Sequence, residues 1–113
     1  MMRTPLLVVV MLFTGASAMA LTQHLTPDEV AMVLSTMIVG NQRCAFHPKD
    51  IPLKVPIARL GQDLVDFLPG GRYSPLVEMK MQKAHEWIDA QDKATACKGM
   101  RETLVRFLPD IYK

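Results

Sequence analysis

Apolar side chains recur every three or four residues in four stretches of this chain, and prolines stand near the boundaries of those stretches. This spacing collects the apolar side chains on one face of a helix. No stretch combines alternating apolar and polar residues with the β-branched residues that favour a strand. The sequence therefore predicts an all-α fold, a small four-helix bundle formed by residues 21–113.

The first predicted helix has a complete start signature. Thr26 is expected to accept a hydrogen bond from the backbone of Glu29, Glu29 to reach back to Thr26, and Pro27 to occupy the first helical position. The apolar face then continues to about Cys44, provided that the helix runs through Gly40 at a cost of about 1 kcal/mol. We expect it to do so.

Prolines and glycines divide the rest of the chain. Residues 45–55 are predicted to form an extended connector, because three prolines stand in or beside them. Helices are expected at 56–68, at 74–89 with Ser74 as the cap, and at 93–108. Their inward residues are predicted to be Ile57, Leu60, Leu64, Phe67 and Leu68 in the second helix, Leu76, Val77, Met81, Ala84, Trp87 and Ile88 in the third, and Cys97, Met100, Leu104, Phe107 and Leu108 in the fourth.

A short motif occurs twice: the sequence from Leu64 to Pro69 recurs, with one difference, from Leu104 to Pro109. The favoured interpretation is two amphipathic helices that end with the same aromatic anchor and the same proline. Duplication of an ancestral helix pair is the alternative, although repeat architectures generally need three copies or more.

Residues 1–20 have the composition of a signal peptide. A positive start is followed by an apolar run from Leu6 to Phe13 and then by small residues, with cleavage expected after Ala20 or, as second choice, Ala18. The apolar run is too short to span a bilayer. The mature chain is thus expected to be a single soluble domain, 21–113, that is periplasmic or secreted.

The charge of the chain is nearly balanced. The formal charge is +2, and removal of Arg3 with the signal peptide lowers it to +1. Nucleic acids and anionic membranes reward clustered positive charge, so neither is expected as a partner. No later stretch is long and apolar enough to predict a membrane span.

The two cysteines, Cys44 and Cys97, are predicted to form a disulfide in an oxidising compartment. Closing a loop of that length stabilises a folded chain by about 4 kcal/mol in the chain-entropy model. A metal site of Cys44, His47 and Cys97 is the weaker alternative, because zinc requires thiolates.

Few other residues suggest chemistry. Met81 and His85 lie one helical turn apart and could bind Cu(I), although a core methionine and a surface histidine are the favoured interpretation. The histidines are scattered, no nucleophile elbow or phosphate-binding loop is present, and carboxylate pairs such as Asp63 and Asp66 suit helix ends. We therefore expect no enzymatic activity, no cofactor and no bound metal.

Aromatic residues provide the best candidates for contact with a partner. Tyr73, beside Arg72 in a turn rich in glycine and proline, is expected in an exposed recognition loop, and Trp87 is a second candidate anchor. The predicted architecture resembles that of bacterial periplasmic acid-stress chaperones and of some periplasmic immunity proteins. The leading hypothesis is an exported, non-enzymatic protein-binding protein of the bacterial cell envelope. An acid-activated holdase chaperone is the alternative, and a copper carrier using Met81 and His85 ranks third.

Overall fold

The computed structural model describes residues 24–113, so the predicted signal peptide at 1–20 lies outside the described residues. A 3-10 helix occupies Leu64–Phe67, and no strand occurs in the described part of the chain. The all-α prediction is confirmed. No helix within residues 24–113 has the length and apolar character needed to cross a membrane. The α-helices are α1 (Pro27–Arg43), α2 (Lys54–Arg59), α3 (Ser74–Asp89), α4 (Lys93–Phe107) and α5 (Pro109–Tyr112).

Helix α1 begins and ends as its sequence predicts. The backbone N–H of Thr26 donates to Glu29 Oε1 at 2.9 Å, and the backbone N–H of Glu29 donates to Thr26 Oγ1 at 3.2 Å. The helix continues through Gly40, and Cys44 is its C-cap. Gly40 is tolerated because the Phe46 ring packs on it: an added Cβ would lie 2.8 Å from Phe46 Cε2.

The second predicted helix is not continuous, so the prediction of one helix over 56–68 is wrong. Helix α2 ends at Arg59, and Gly61 takes φ +90°, a conformation that only glycine adopts readily. The following 3-10 helix is capped by Asp63, whose side chain accepts from the backbone N–H of Val65 at 3.1 Å. Leu68, predicted to face inward, is 45% exposed.

Helices α3 and α4 lie where the periodicity predicts them, but the cap of α3 and the role of Pro109 differ from the prediction. Tyr73, not Ser74, is the N-cap of α3, and it makes no side-chain capping bond. Asp92 caps α4 by accepting from the backbone N–H and the hydroxyl of Thr95, both at 3.0 Å. Pro109, expected only to stop α4, also begins α5, because proline fits the first turn of a helix.

The two copies of the repeated motif adopt different structures. The first forms the 3-10 helix, whereas the second forms the end of α4 and the start of α5. Leu68 of the first copy is 45% exposed, but the corresponding Leu108 is fully buried. The copies therefore do not share one structural role.

The core lies on the inner face of α1, which packs against both α3 and α4. A second, smaller cluster lies toward the C-terminal end of α1. There Cys44 and Cys97 form the predicted disulfide, with an S–S distance of 2.03 Å. The main cluster includes Val30, Val33, Leu34, Ile57, Phe67, Val77, Leu104, Leu108, Ile111 and Tyr112.

Candidate functional site

The residues predicted to contact a partner do not form one site. Arg72 and Tyr73 directly precede α3, whereas Trp87 lies in its last turn. At 1.5 Å per residue, Tyr73 and Trp87 are about 21 Å apart along the helix axis. The structure therefore has two candidate surfaces, one at each end of α3.

The first surface, called here the α3 corner, comprises residues 65–73, and its backbone is held by short hydrogen bonds. The N–H of Tyr73 donates to the Asp66 carbonyl at 2.7 Å, and the N–H of Gly71 donates to the Leu68 carbonyl at 2.7 Å. An added Cβ on Gly71 would collide with the carbonyl oxygens of Val65 and Asp66. Glycine is thus needed there for the close approach of the two backbone segments.

The side chains of the α3 corner stack in layers. The Tyr73 ring packs against the Phe67 ring with centroids 5.2 Å apart, and the Arg72 guanidinium lies 4.9 Å from the Tyr73 centroid. Arg72 Nε also lies 3.5 Å from an Asp66 carboxylate oxygen. Tyr73 is only half-exposed, so it braces the corner as well as contributing to its surface.

Sequence reasoning missed the two apolar side chains that the α3 corner exposes most. Val65 is 62% exposed and Leu68 is 45% exposed. The sequence predicts one continuous helix through both positions, and its apolar spacing favours burial of Leu68. Gly61 and the segment from Pro69 to Gly71 were the available signals, because they mark a short, isolated piece of structure between two turns.

The second surface, called here the Trp87 groove, lies between α1, α3 and α4 and has a volume of about 420 Å³. Met32, Ser35 and Thr36 line it from α1, and Gly99 and Met100 line it from α4.

Trp87 forms one wall of this groove and is 46% exposed, so its predicted inward position is wrong. An added Cβ on Gly99 would lie 3.3 Å from Trp87 Cη2. The indole therefore rests on the outer surface of α4, where the missing side chain of Gly99 leaves space for it.

The hydroxyl groups that line the Trp87 groove bond to carbonyls of their own helices. Ser35 and Thr36 donate to the Met32 carbonyl at 2.9 and 2.7 Å, and Thr103 donates to the Gly99 carbonyl at 3.1 Å. The positive charges of the groove come from Lys80 and Lys83 of α3. These ammonium groups give the otherwise apolar groove a cationic edge.

The metal alternative that uses the cysteines is wrong, because the disulfide leaves neither sulfur as a thiolate. Met81 is half-buried and packs against both core clusters. His85 Nδ1 lies 3.3 Å from Arg43 Nη1, and this guanidinium opposes binding of a cation at the imidazole. The described residues contain no group of three or more His, Cys, Asp or Glu side chains arranged to hold a metal ion.

One buried ionisable group has a structural contact. The Tyr112 hydroxyl donates to Asn41 Oδ1 at 2.9 Å and joins α5 to α1. Burial raises the pKa of this phenol, and the hydrogen bond to Asn41 opposes that increase. The neutral phenol is thereby favoured, as suits a residue that anchors the C-terminal helix.

Comparisons of the chain with protein-family models, with curated proteins and with solved structures gave no match. The two surfaces at the ends of α3 are therefore the structural basis for a proposed function.

Proposed function

We propose that this protein is an exported, non-enzymatic protein-binding protein of the bacterial cell envelope, and that the α3 corner contacts its partner. The observation that carries the proposal is a corner with a hydrogen-bonded backbone that exposes Val65 and Leu68 and also carries the exposed Arg72. Exposed apolar groups next to an arginine on a braced loop are typical of recognition surfaces. Because the backbone of the corner is already ordered, binding would cost little conformational entropy.

The oxidised cysteine pair supports an extracytoplasmic location, since disulfides persist mainly in oxidising compartments. The composition of residues 1–20 supports export on independent grounds. A periplasmic or secreted binding protein accords with both features.

Site-specific crosslinking in the source cells tests this proposal. A photoreactive residue at Leu68 should crosslink to a discrete partner protein, whereas the same residue at the exposed Lys93 of α4 should not. In the Leu68-labelled protein, Val65→Asp should reduce the crosslinked product at least fivefold, because a charge would enter the apolar contact. Equal crosslinking from both positions, or none from Leu68, would contradict the proposal.

The acid-activated holdase is the second candidate, and it would involve the loss of ion pairs that join helices. The described residues contain four ion pairs, and an aspartate supplies the carboxylate of each: Asp28, Asp66, Asp89 and Asp110. Three of these pairs join different helices. They are Lys80–Asp28 at 3.1 Å and Arg43–Asp89 at 2.7 Å between α1 and α3, and Arg59–Asp110 at 2.7 Å between α2 and α5.

Acid would remove the negative partner from each helix-joining pair and leave the cation. Arg43 Nη1 also lies 3.3 Å from His85 Nδ1 at the junction of α1 and α3. With every carboxyl group neutral and the histidines protonated, the charge of residues 21–113 would rise from +1 to about +15. Each exposed ion pair contributes little to the stability of the fold. Repulsion among all the positive charges is therefore the larger force that would loosen the helices in acid.

A chaperone assay distinguishes the two candidates. The holdase hypothesis requires the protein to suppress aggregation of an unfolded client at about pH 2 to 3, but not at neutral pH, as carboxylates protonate and the helices loosen. Asp28→Asn with Asp89→Asn should shift this activity toward higher pH, because both links between α1 and α3 would be missing. A protein that stays folded and inactive throughout this range would eliminate the holdase.

A further inference from the structure

The Trp87 groove has a charged end and an aromatic end. Helices α3 and α4 run in opposite directions along α1, because the pairs Lys80–Asp28 and Arg43–Asp89 align α3 with α1, whereas the disulfide places the start of α4 at the end of α1. Lys83 lies one turn before Trp87 on α3, and Thr103 lies one turn after Gly99 on α4. Since Trp87 rests on Gly99, Lys83 and Thr103 lie together at the opposite end of the groove.

The two lysines at the charged end have different surroundings. Lys80 Nζ lies 3.1 Å from Asp28 Oδ2, and the Lys80 side chain is 20% exposed. Lys83 is exposed and has no ion-pair partner among residues 24–113. Lys83 is therefore the ammonium group available to an incoming anion, and Lys80 adds to the positive potential.

The lining of the groove discriminates among ligand classes. A carbohydrate needs many hydrogen-bond donors, but the hydroxyl protons of Ser35, Thr36 and Thr103 are already donated to carbonyls. An organic cation could stack on Trp87, yet Lys80 and Lys83 would repel it. An anion with an apolar chain fits both ends.

The dimensions of the groove indicate the length of that chain. Its volume of about 420 Å³ lies in the range of small-molecule sites. Along the axis of α3, Lys83 lies about 6 Å and Lys80 about 10 Å from Trp87, so a carboxylate at Lys83 leaves the hydrocarbon chain to run past Trp87 or back toward Lys80. Met32 and Met100 provide a flexible apolar floor that adapts to an unbranched hydrocarbon.

We propose that the Trp87 groove binds an unbranched aliphatic carboxylate, with the carboxylate at Lys83 and the hydrocarbon chain between Met32, Met100 and Trp87. This inference is independent of the α3 corner, which lies at the other end of α3. It adds a small-molecule ligand to a protein for which the proposed function requires only a protein partner.

The tryptophan content of the chain makes the test direct. Trp87 is the single tryptophan, so its fluorescence reports on the groove alone. The mature, oxidised protein is titrated with decanoate below its micelle concentration, and with decylammonium and decanol as chain-matched controls. NMR spectra of the Met32 and Met100 methyl groups give a second measurement. We expect saturable changes with decanoate, and binding at least tenfold weaker for both controls.

Matched variants locate the binding site. Lys83→Gln should weaken decanoate binding about three- to tenfold, because the carboxylate loses its charge-assisted hydrogen bond. Lys98→Gln, at an exposed lysine outside the groove, should leave it unchanged. Gly99→Leu should abolish binding, because the added side chain would displace the Trp87 indole that forms a wall of the groove. If circular dichroism shows that Gly99→Leu is unfolded, Thr103→Phe is used in its place. Its ring would fill the charged end of the groove and should likewise abolish binding.

Three results would overturn the proposal: no saturable change with decanoate, equal affinity for decanol or decylammonium, or no effect of Lys83→Gln. Equal affinity for decanol would mean that the groove is an apolar contact surface for another occupant, such as a partner's helix. Val65→Asp should leave decanoate binding unchanged, so failure of this inference and failure of the α3 corner proposal are distinguishable.

Discussion

Gly40 and Phe46 illustrate, at the scale of single residues, why propensity alone does not decide stability. Alanine is favoured over glycine inside a helix by about 1 kcal/mol. At Gly40, however, the added Cβ would lie 2.8 Å from Phe46 Cε2, and the Phe46 ring is packed edge-on against Tyr112 with centroids 6.2 Å apart. The steric cost of overpacking therefore opposes the gain in helix propensity.

We predict that Gly40→Ala lowers the free energy of unfolding by about 1 kcal/mol, measured by urea denaturation, because overpacking typically costs more than propensity returns. In a Phe46→Leu background the obstructing ring is absent, so the same substitution should stabilise the protein. A stabilising effect of Gly40→Ala in the presence of Phe46 would show that the ring moves aside freely.

Tyr112 gives a residue-scale prediction about pH. The phenol is 5% exposed, and burial raises its pKa above the ordinary value of about 10. The folded state therefore holds the phenolic proton more tightly than the unfolded chain does. Its contribution to stability is complete below about pH 10 and is lost as pH rises through the folded-state pKa.

We predict that Tyr112→Phe lowers the free energy of unfolding by about 1 kcal/mol near neutral pH, because the hydrogen bond to Asn41 is lost. In the same variant the free energy of unfolding should decrease less at alkaline pH, because no phenol at position 112 remains to ionise. Denaturant titrations from pH 7 to 11 measure both effects, and Tyr73→Phe is the control that retains Tyr112. If the free energy of unfolding of Tyr112→Phe falls between pH 7 and 11 as much as that of the unmodified protein, the alkaline loss of stability is caused by other groups.

At the scale of elements, the capping box of α1 is the sequence signal that the structure reproduces most closely. Thr26→Ala should lower the free energy of unfolding by about 1 kcal/mol, because the backbone N–H of Glu29 loses its side-chain acceptor. Thr26→Ser keeps an acceptor oxygen and should cost much less. Thermal unfolding followed by circular dichroism compares the two, and equal losses would indicate that the methyl group of Thr26, not its oxygen, is important.

The long helices could be predicted from the sequence because each has many periodic apolar residues and a boundary with a physical cause. Residues 56–68 were harder, since α2 and the 3-10 helix both turn apolar side chains to the same core and so maintain helical spacing across the break at Gly61. Pro109 was ambiguous for another reason. Proline ends one helix and begins the next equally well.

The candidate sites were less predictable than the helices, because each depends on contacts between elements distant in sequence. Apolar spacing placed Trp87 in the core, but exposure of the indole follows from its position on Gly99 of α4. The fold likewise exposes Val65 and Leu68 by separating the 3-10 helix from α2. Periodicity reports which face of one helix is apolar, whereas only the packing shows which groups remain uncovered.

At the scale of the whole molecule, the disulfide joins the end of α1 to the first half of α4 across 53 positions of the sequence. It lies beside the smaller core cluster of Val39, Ile88, Ala96 and Met100. A small domain has a limited core, so a covalent link of this span is a large share of its stability.

We predict that reduction of the Cys44–Cys97 disulfide lowers the free energy of unfolding by about 4 kcal/mol, because the reduced chain regains the entropy of an open loop. For a domain of this size that loss corresponds to a decrease in the thermal midpoint of about 20 °C. Cys44→Ala with Cys97→Ala should show a similar decrease without reductant, which controls for effects of the reducing agent. The helices should persist below the lowered midpoint, since the buried core residues and the side-chain caps Thr26 and Asp92 are unchanged. A midpoint that is the same with and without the disulfide would mean that the unfolded chain is already as compact as the cross-link makes it.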